Sequence, residues 1–152
     1  MISPELLRRY TIFAELNDEQ LKAIAMISNE NTYPVETNII DENSPAKKLF
    51  LIKEGEIDLI YSGGGEGAFT YVVVGTITPG EILGVSSLIE PYEYISSAKV
   101  ISQARVIEID APTIRALMEV DPKLGCILLR NISTAVMERL KYTQIELAAA
   151  RA

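Results

Sequence analysis

Between about Thr32 and Asp110 the chain breaks into short apolar segments separated by turn residues, and this rhythm limits the fold more than any other feature. The segments are Thr37–Ile40, Lys48–Lys53, Glu56–Tyr61, Ala68–Thr78, Ser97–Ser102 and Arg105–Ile109. Glu42-Asn43-Ser44-Pro45, Glu54-Gly55, Ser62–Gly67 and Pro79-Gly80 punctuate them as turns. Strands this short and this closely spaced predict a barrel, roll or sandwich rather than alternating βαβ units. At 152 residues, with 48% hydrophobic and 23% charged, the chain can bury one globular core. The expected class is mainly β with flanking helices, in a single domain over residues 1–152. Its expected parts are N-terminal helices over about 1–30, a β-roll over 31–110 and C-terminal helices over 111–152.

Helix signals flank the β region. Ser3-Pro4 reads as an N-cap followed by proline at the first helical position. Asn17-Asp18-Glu19-Gln20 has the form of a capping box, with Leu21, Ile24 and Ala25 following at helical spacing. Asp110 caps a short helix that carries Pro112 in its first turn and ends near Val120. Asp121-Pro122 starts a long helix reaching about Ala150. Its heptad rows are Cys126, Ser133, Leu140 and Leu147, and beside them Leu129, Val136, Thr143 and Ala150. Leu128, Ile132 and Ala135 lie next to that stripe and are placed to pack on the roll, and Cys126 reads as a small core residue. Because both rows continue to the end, a homodimer through Leu129, Val136, Leu140 and Leu147 is expected over a fraying LAAARA tail.

Charge and composition exclude several function classes. The net charge is −7 and the 14 Lys and Arg are scattered, so direct nucleic acid binding is not expected. Histidine is absent, which removes the commonest metal ligand and general base, and no metal or cofactor is expected. No apolar run is long enough for a membrane span, and MISPELLRRY carries charges where a signal peptide needs an apolar stretch. The single cysteine, Cys126, fits a cytoplasmic location.

Several segments together resemble the cyclic nucleotide-binding domain of bacterial catabolite activators, kinase regulatory subunits and gated channels. They are Phe13-Ala14-Glu15-Leu16, Leu49-Phe50-Leu51-Ile52-Lys53-Glu54-Gly55-Glu56-Ile57, Pro79-Gly80-Glu81-Ile82-Leu83-Gly84, Ser97-Ala98, Asp121-Pro122 and Arg139-Leu140. The resemblance spans about Phe13 to Leu147 and implies a jelly-roll-like β-roll (a double-stranded β-helix) holding its ligand against a short helix. In that family a glutamate after the second cassette glycine accepts the ribose hydroxyl, and an arginine two residues before the alanine pairs with the cyclic phosphate. The same positions here hold Val85 and Ser96, so both charged anchors are gone. The candidate pocket comprises Gly84, Val85, Ser86, Ser87, Ser96, Ser97 and Thr143. Backbone N–H groups at Ser86 and Ser87 are one source of residual anion binding, and plain turn and strand serines are the other reading. Thr143 is likewise either a base contact or a polar residue in a coiled-coil row.

Other segments read more simply. Ser62-Gly63-Gly64-Gly65-Glu66-Gly67 lacks a following lysine and reads as a hairpin loop, not a phosphate loop. Glu90, Tyr92, Glu93 and Tyr94 crowd the cassette and read either as a lid or partner surface or as exposed loop residues, while Asp41, Glu42, Glu54 and Glu56 read as solvated. Arg105 either reaches an anion or pairs with a carboxylate. The leading expectation is a non-enzymatic regulatory module, dimeric, with impaired or altered nucleotide binding. A genuine cyclic nucleotide binder using serine and backbone contacts is the alternative, and a cupin-like enzyme is the reading from another class. With no helix-turn-helix after residue 152, any signal is expected to pass through a partner or through oligomerisation.

Overall fold

The structure, a computed structural model, describes residues 1–62 and 71–152. Gly63–Gly67 of the glycine-rich loop and the start of the Ala68–Thr78 segment lie outside the described residues. Two helices, α1 (Pro4–Arg8) and α2 (Asp18–Met26), flank a 3-10 turn at Thr11–Phe13. The strands follow: β1 (Ser28–Tyr33), β2 (Asn38–Ile40), β3 (Lys48–Tyr61), β4 (Val72–Ile77), β5 (Ile82–Leu83) and β6 (Ser97–Asp110). A second 3-10 turn, Val85–Leu88, precedes β6, and α3 (Ala111–Val120) and α4 (Pro122–Arg151) close the chain.

The helix starts are built by the caps legible in the sequence. Asn17 Oδ1 accepts from the Gln20 N–H at 2.9 Å while Gln20 Oε1 accepts from the Asn17 N–H at 3.0 Å, a reciprocal capping box. Asp110 and Asp121 accept from the N–H groups of Thr113 at 3.0 Å and Leu124 at 3.2 Å.

Among the described residues six strands form one antiparallel sheet of order β1-β6-β3-β4, with β2 against β6 and β5 against β3. Its centre is buried on both faces, which explains the unbroken apolar run Leu49-Phe50-Leu51-Ile52. Leu49 and Leu51, with Ile107 and Ile109, face the helices and meet Phe13, Leu21, Leu124 and Leu128. Phe50 and Ile52 point the other way, into the roll, against Ile57, Val100 and Val106.

Glu54-Gly55 is not a turn. It lies inside β3, which runs through from Lys48 to Tyr61, with the register against β6 shifting on either side of it. Gly55 has φ +90, and a Cβ there would sit 2.4 Å from the Gln103 carbonyl oxygen, so the glycine makes a bulge that bends the strand instead of reversing it. Ser97–Ser102 and Arg105–Ile109 likewise fuse into β6. β1 begins at Ser28, where the sequence still reads as helix. As an edge strand with mostly exposed polar residues it has no alternation to reveal it.

Two charged assignments change as well. Glu54 is not simply solvated: its Oε1 accepts from Arg105 Nη1 at 2.8 Å, and Arg105 Nη2 also donates to Glu30 at 2.9 Å. Hydrogen bonds from Lys53 and Arg105 hold the Glu30 carboxyl down to about 2. Arg105 is therefore committed to carboxylates. Glu42 accepts from the Ser62 N–H at 3.0 Å and from its hydroxyl at 2.8 Å.

Helix α4 lies on the roll through Leu124, Gly125, Leu128 and Ile132, with Ala135 packed beside them. Cys126 faces away from that contact and is exposed, so it is not a core residue. No helix among the described residues is long and apolar enough to cross a membrane.

Candidate functional site

The site is assembled where β5 hands over to the second 3-10 turn. Ile82 and Leu83 pair with Leu51 and Phe50, and the chain then turns at Gly84, φ +83. A Cβ at Gly84 would lie 3.0 Å from the Lys48 carbonyl oxygen and 3.2 Å from the Tyr94 ring, so this corner takes only glycine comfortably. Tyr94 is buried, contrary to its reading as an exposed loop residue, and its hydroxyl donates to the Lys48 C=O at 2.6 Å. It also accepts from the Lys48 N–H at 3.1 Å, locking the cassette against β3. Burial raises the pKa of this phenol above its ordinary value.

These elements enclose a cavity of about 690 Å³, of a size that holds small organic ligands. Ile40, Leu59, Ile77, Leu83 and Tyr94 give it an apolar interior. The cassette adds Gly84, Val85, Ser86 and Ser96, and α4 closes the remaining side with Arg139, Tyr142, Thr143 and Glu146. Those four follow the i, i+3, i+4, i+7 spacing of one helix face, continuing the stripe by which Leu128, Ile132 and Ala135 meet the roll.

Of the residues singled out in the sequence, Gly84, Val85, Ser86, Ser96 and Thr143 line the cavity. Ser87 and Ser97 do not. Ser87 is fully buried in the 3-10 turn, its N–H donates to the Gly84 C=O at 3.0 Å, and its Oγ has no hydrogen-bond partner among the described residues. The Ser87 carbonyl accepts from Arg115 Nη1 at 2.5 Å, and the Arg115 guanidinium lies 4.0 Å from the centre of the Tyr92 ring. Ser97 Oγ accepts from the Glu42 N–H at 3.0 Å. Ser97 is therefore engaged through its hydroxyl, and Ser87 through its backbone alone. Ser96 sits in the bend before β6 and Ser97 is the first residue of that strand, so the two neighbours are held in different backbone settings.

Sequence reasoning missed Arg139 as a pocket residue, treating it only as a marker of the last helix. Its guanidinium, half-buried in the cavity wall, donates to the Ile82 C=O. Burial lowers its pKa from the ordinary arginine value, opposed by the nearby Glu81 carboxylate. The signal available was its place four residues before Thr143, on the same helical face.

A β-roll with an internal cavity, roofed by the helix that leaves the roll, defines a class of ligand-binding domain. The chain belongs to the cyclic nucleotide-binding domain family, whose family model matches residues 30–121. A protein of Geobacter metallireducens GS-15, named as a candidate cyclic nucleotide-binding protein, is 45% identical with a TM-score of 0.82, over 92% of this chain and 99% of that one. A cyclic nucleotide-binding domain from Methylobacillus flagellatus KT has a TM-score of 0.78 at 18% identity, over 96% of this chain and 80% of its own. The regulatory subunit of a cAMP-independent protein kinase A from Trypanosoma brucei has a TM-score of 0.75 at 13% identity, over 94% of this chain and 49% of its own. These last two likenesses establish the fold alone. No curated protein matches the chain.

Proposed function

We propose that this chain is a non-enzymatic regulatory module that binds a small ligand in its roll, with weakened cyclic nucleotide affinity, and signals through a second copy of itself. The observation that carries this reading is the double duty of α4. One face closes the cavity with Arg139, Tyr142 and Thr143, while another leaves Leu129, Val136, Leu140 and Leu147 between 39% and 46% exposed. A ligand that favours one position of α4 over another changes what that apolar row presents to a partner. The regulatory character of the family supports a binding role over a catalytic one.

The weakening follows from the cassette. Val85 has no acceptor for a ribose hydroxyl, and Ser96 offers a hydroxyl in place of a guanidinium. Each lost charge-assisted contact costs about 1.5–3 kcal/mol, or about one to two decades of affinity. A thermal-shift titration tests this. At ~1 mM, cyclic AMP, cyclic GMP and cyclic dinucleotides are expected to remain below their Kd and to stabilise by less than about 0.4 kcal/mol. Stabilisation of ~2.7 kcal/mol, the value at 100 times Kd, would overturn the weakened-pocket reading.

The dimer is tested separately. Burying an exposed leucine or valine is worth about 1.5–3 kcal/mol, so the row Leu129, Val136, Leu140 and Leu147 can hold two copies together. Analytical ultracentrifugation of the intact chain is expected to give a dimer, and Val136→Glu with Leu140→Glu a folded monomer. A monomeric wild type at high concentration rules this interface out.

A further inference from the structure

We infer that the cavity takes an oxyanion, a phosphate or carboxylate group on a small molecule, and that Arg139 on α4 is the residue that holds it. This rests on the cavity being the ligand site. Arg139 is the one cationic side chain among the described lining residues. A guanidinium remains charged at any ordinary pH, and a charge withdrawn from water requires a compensating partner. Here its hydrogen bond goes to a neutral group, the Ile82 carbonyl, and no direct ion pair to it is found among the described residues.

Two carboxylates, Glu81 and Glu146, line the same cavity, but neither makes an ion pair with Arg139 among the described residues. Glu81 lies near enough to be felt electrostatically, yet its Oε2 accepts from the Thr78 N–H at 3.0 Å in the turn before β5. Glu146 is exposed, two helical turns further along α4. The bond to Ile82 fixes the side chain in the cavity wall while the other donors of the planar fork stay uncommitted. Two parallel N–H donors suit the two oxygens of a carboxylate or phosphate, and such charge-assisted pairs are among the strongest a protein makes. The anion site thus lies on the helix side of the cavity, whereas Val85 and Ser96, on the cassette, offer no cation.

The test uses the full chain. The Nε–H resonance of Arg139, assigned by its loss in Arg139→Gln, is followed by NMR during titration with inorganic phosphate, cyclic AMP, adenosine and chloride. Phosphate and cyclic AMP are expected to move it saturably, and adenosine and chloride are not. Glutamine can still donate to the Ile82 carbonyl, so Arg139→Gln is expected to stay folded while its thermal stabilisation by phosphate needs at least about tenfold more anion. If Arg139→Gln does not fold, Arg139→Lys supplies the assignment and the wild-type titration still decides. A resonance that ignores both anions overturns the inference, as does Arg139→Gln responding like wild type. Cyclic AMP stabilising wild type and Arg139→Gln equally would sink the anion site and leave the ligand-binding reading standing. Phosphate moving Arg139 while cyclic AMP binds no better than phosphate would keep the anion site and remove any nucleotide preference.

Discussion

Gly55→Ala is expected to lower the melting temperature by about 5–20 °C, more than any other single-methyl change in the roll. Two penalties combine. At φ +90 the residue sits where an L side chain is strained, at about 1–3 kcal/mol. The added Cβ would also lie 2.4 Å from the Gln103 oxygen, 2.7 Å from the Ala104 Cα and 2.8 Å from the Ser102 oxygen, all backbone atoms of β6. Side chains could rotate away, but β6 is bonded on both sides and cannot, which adds about 1–3 kcal/mol of overpacking. Gly80→Ala is the control. Gly80 has φ +93 in the turn where the Glu81 N–H donates to the Thr78 C=O at 3.1 Å, but nothing lies within 4 Å of its Cβ position. It carries the conformational strain without the clash, so its loss should stay near 1–2 kcal/mol. Equal effects at the two glycines, read by calorimetry, would show that the close approach at Gly55 relaxes freely.

The same glycine illustrates what local patterns can and cannot convey. Glu54-Gly55 is a turn signal on any local scale, and only the pairing of β3 with β6 reveals a bulge in a continuous strand. Caps were legible because Asn17 and Gln20, or Asp110 and Thr113, bond within a few residues of each other. β1 was hidden because Asn29, Glu30 and Asn31 are exposed on a sheet edge, where no alternation is needed. At the site, the family pattern led to Val85, Ser86, Ser96 and Thr143, all of which line the cavity. Ser87 and Ser97 fall outside the lining, because spacing says nothing about which way adjacent side chains point. It passed over Arg139, whose position in the cavity depends on how α4 lies across β5.

Rebuilding the cassette is expected to have the largest functional effect: Ser96→Arg combined with Val85→Glu should tighten cyclic AMP binding by about two to four decades. The reasoning begins with geometry. Val85 and Ser96 both line the cavity, so longer polar side chains there extend into space a ligand can use. An arginine at 96 would supply a bidentate partner for the cyclic phosphate, and a glutamate at 85 an acceptor for the ribose hydroxyl, each worth about 1.5–3 kcal/mol. Both act on one ligand in one cavity, so their gains need not add, and both ends of the range assume that they do. Ser96→Arg alone brings a second cation into a cavity that already contains Arg139, and the Val85→Glu carboxylate offsets that repulsion. The double variant should therefore exceed Ser96→Arg by more than Val85→Glu improves on wild type. Adenosine, which lacks the phosphate, separates the two gains: it should profit from Val85→Glu and not from Ser96→Arg. Isothermal titration of the four proteins against both ligands reads this directly. A double variant that folds with a near-native melting point yet binds cyclic AMP no better than wild type would mean that the missing anchors are not what limits this pocket, and that its shape selects a different molecule.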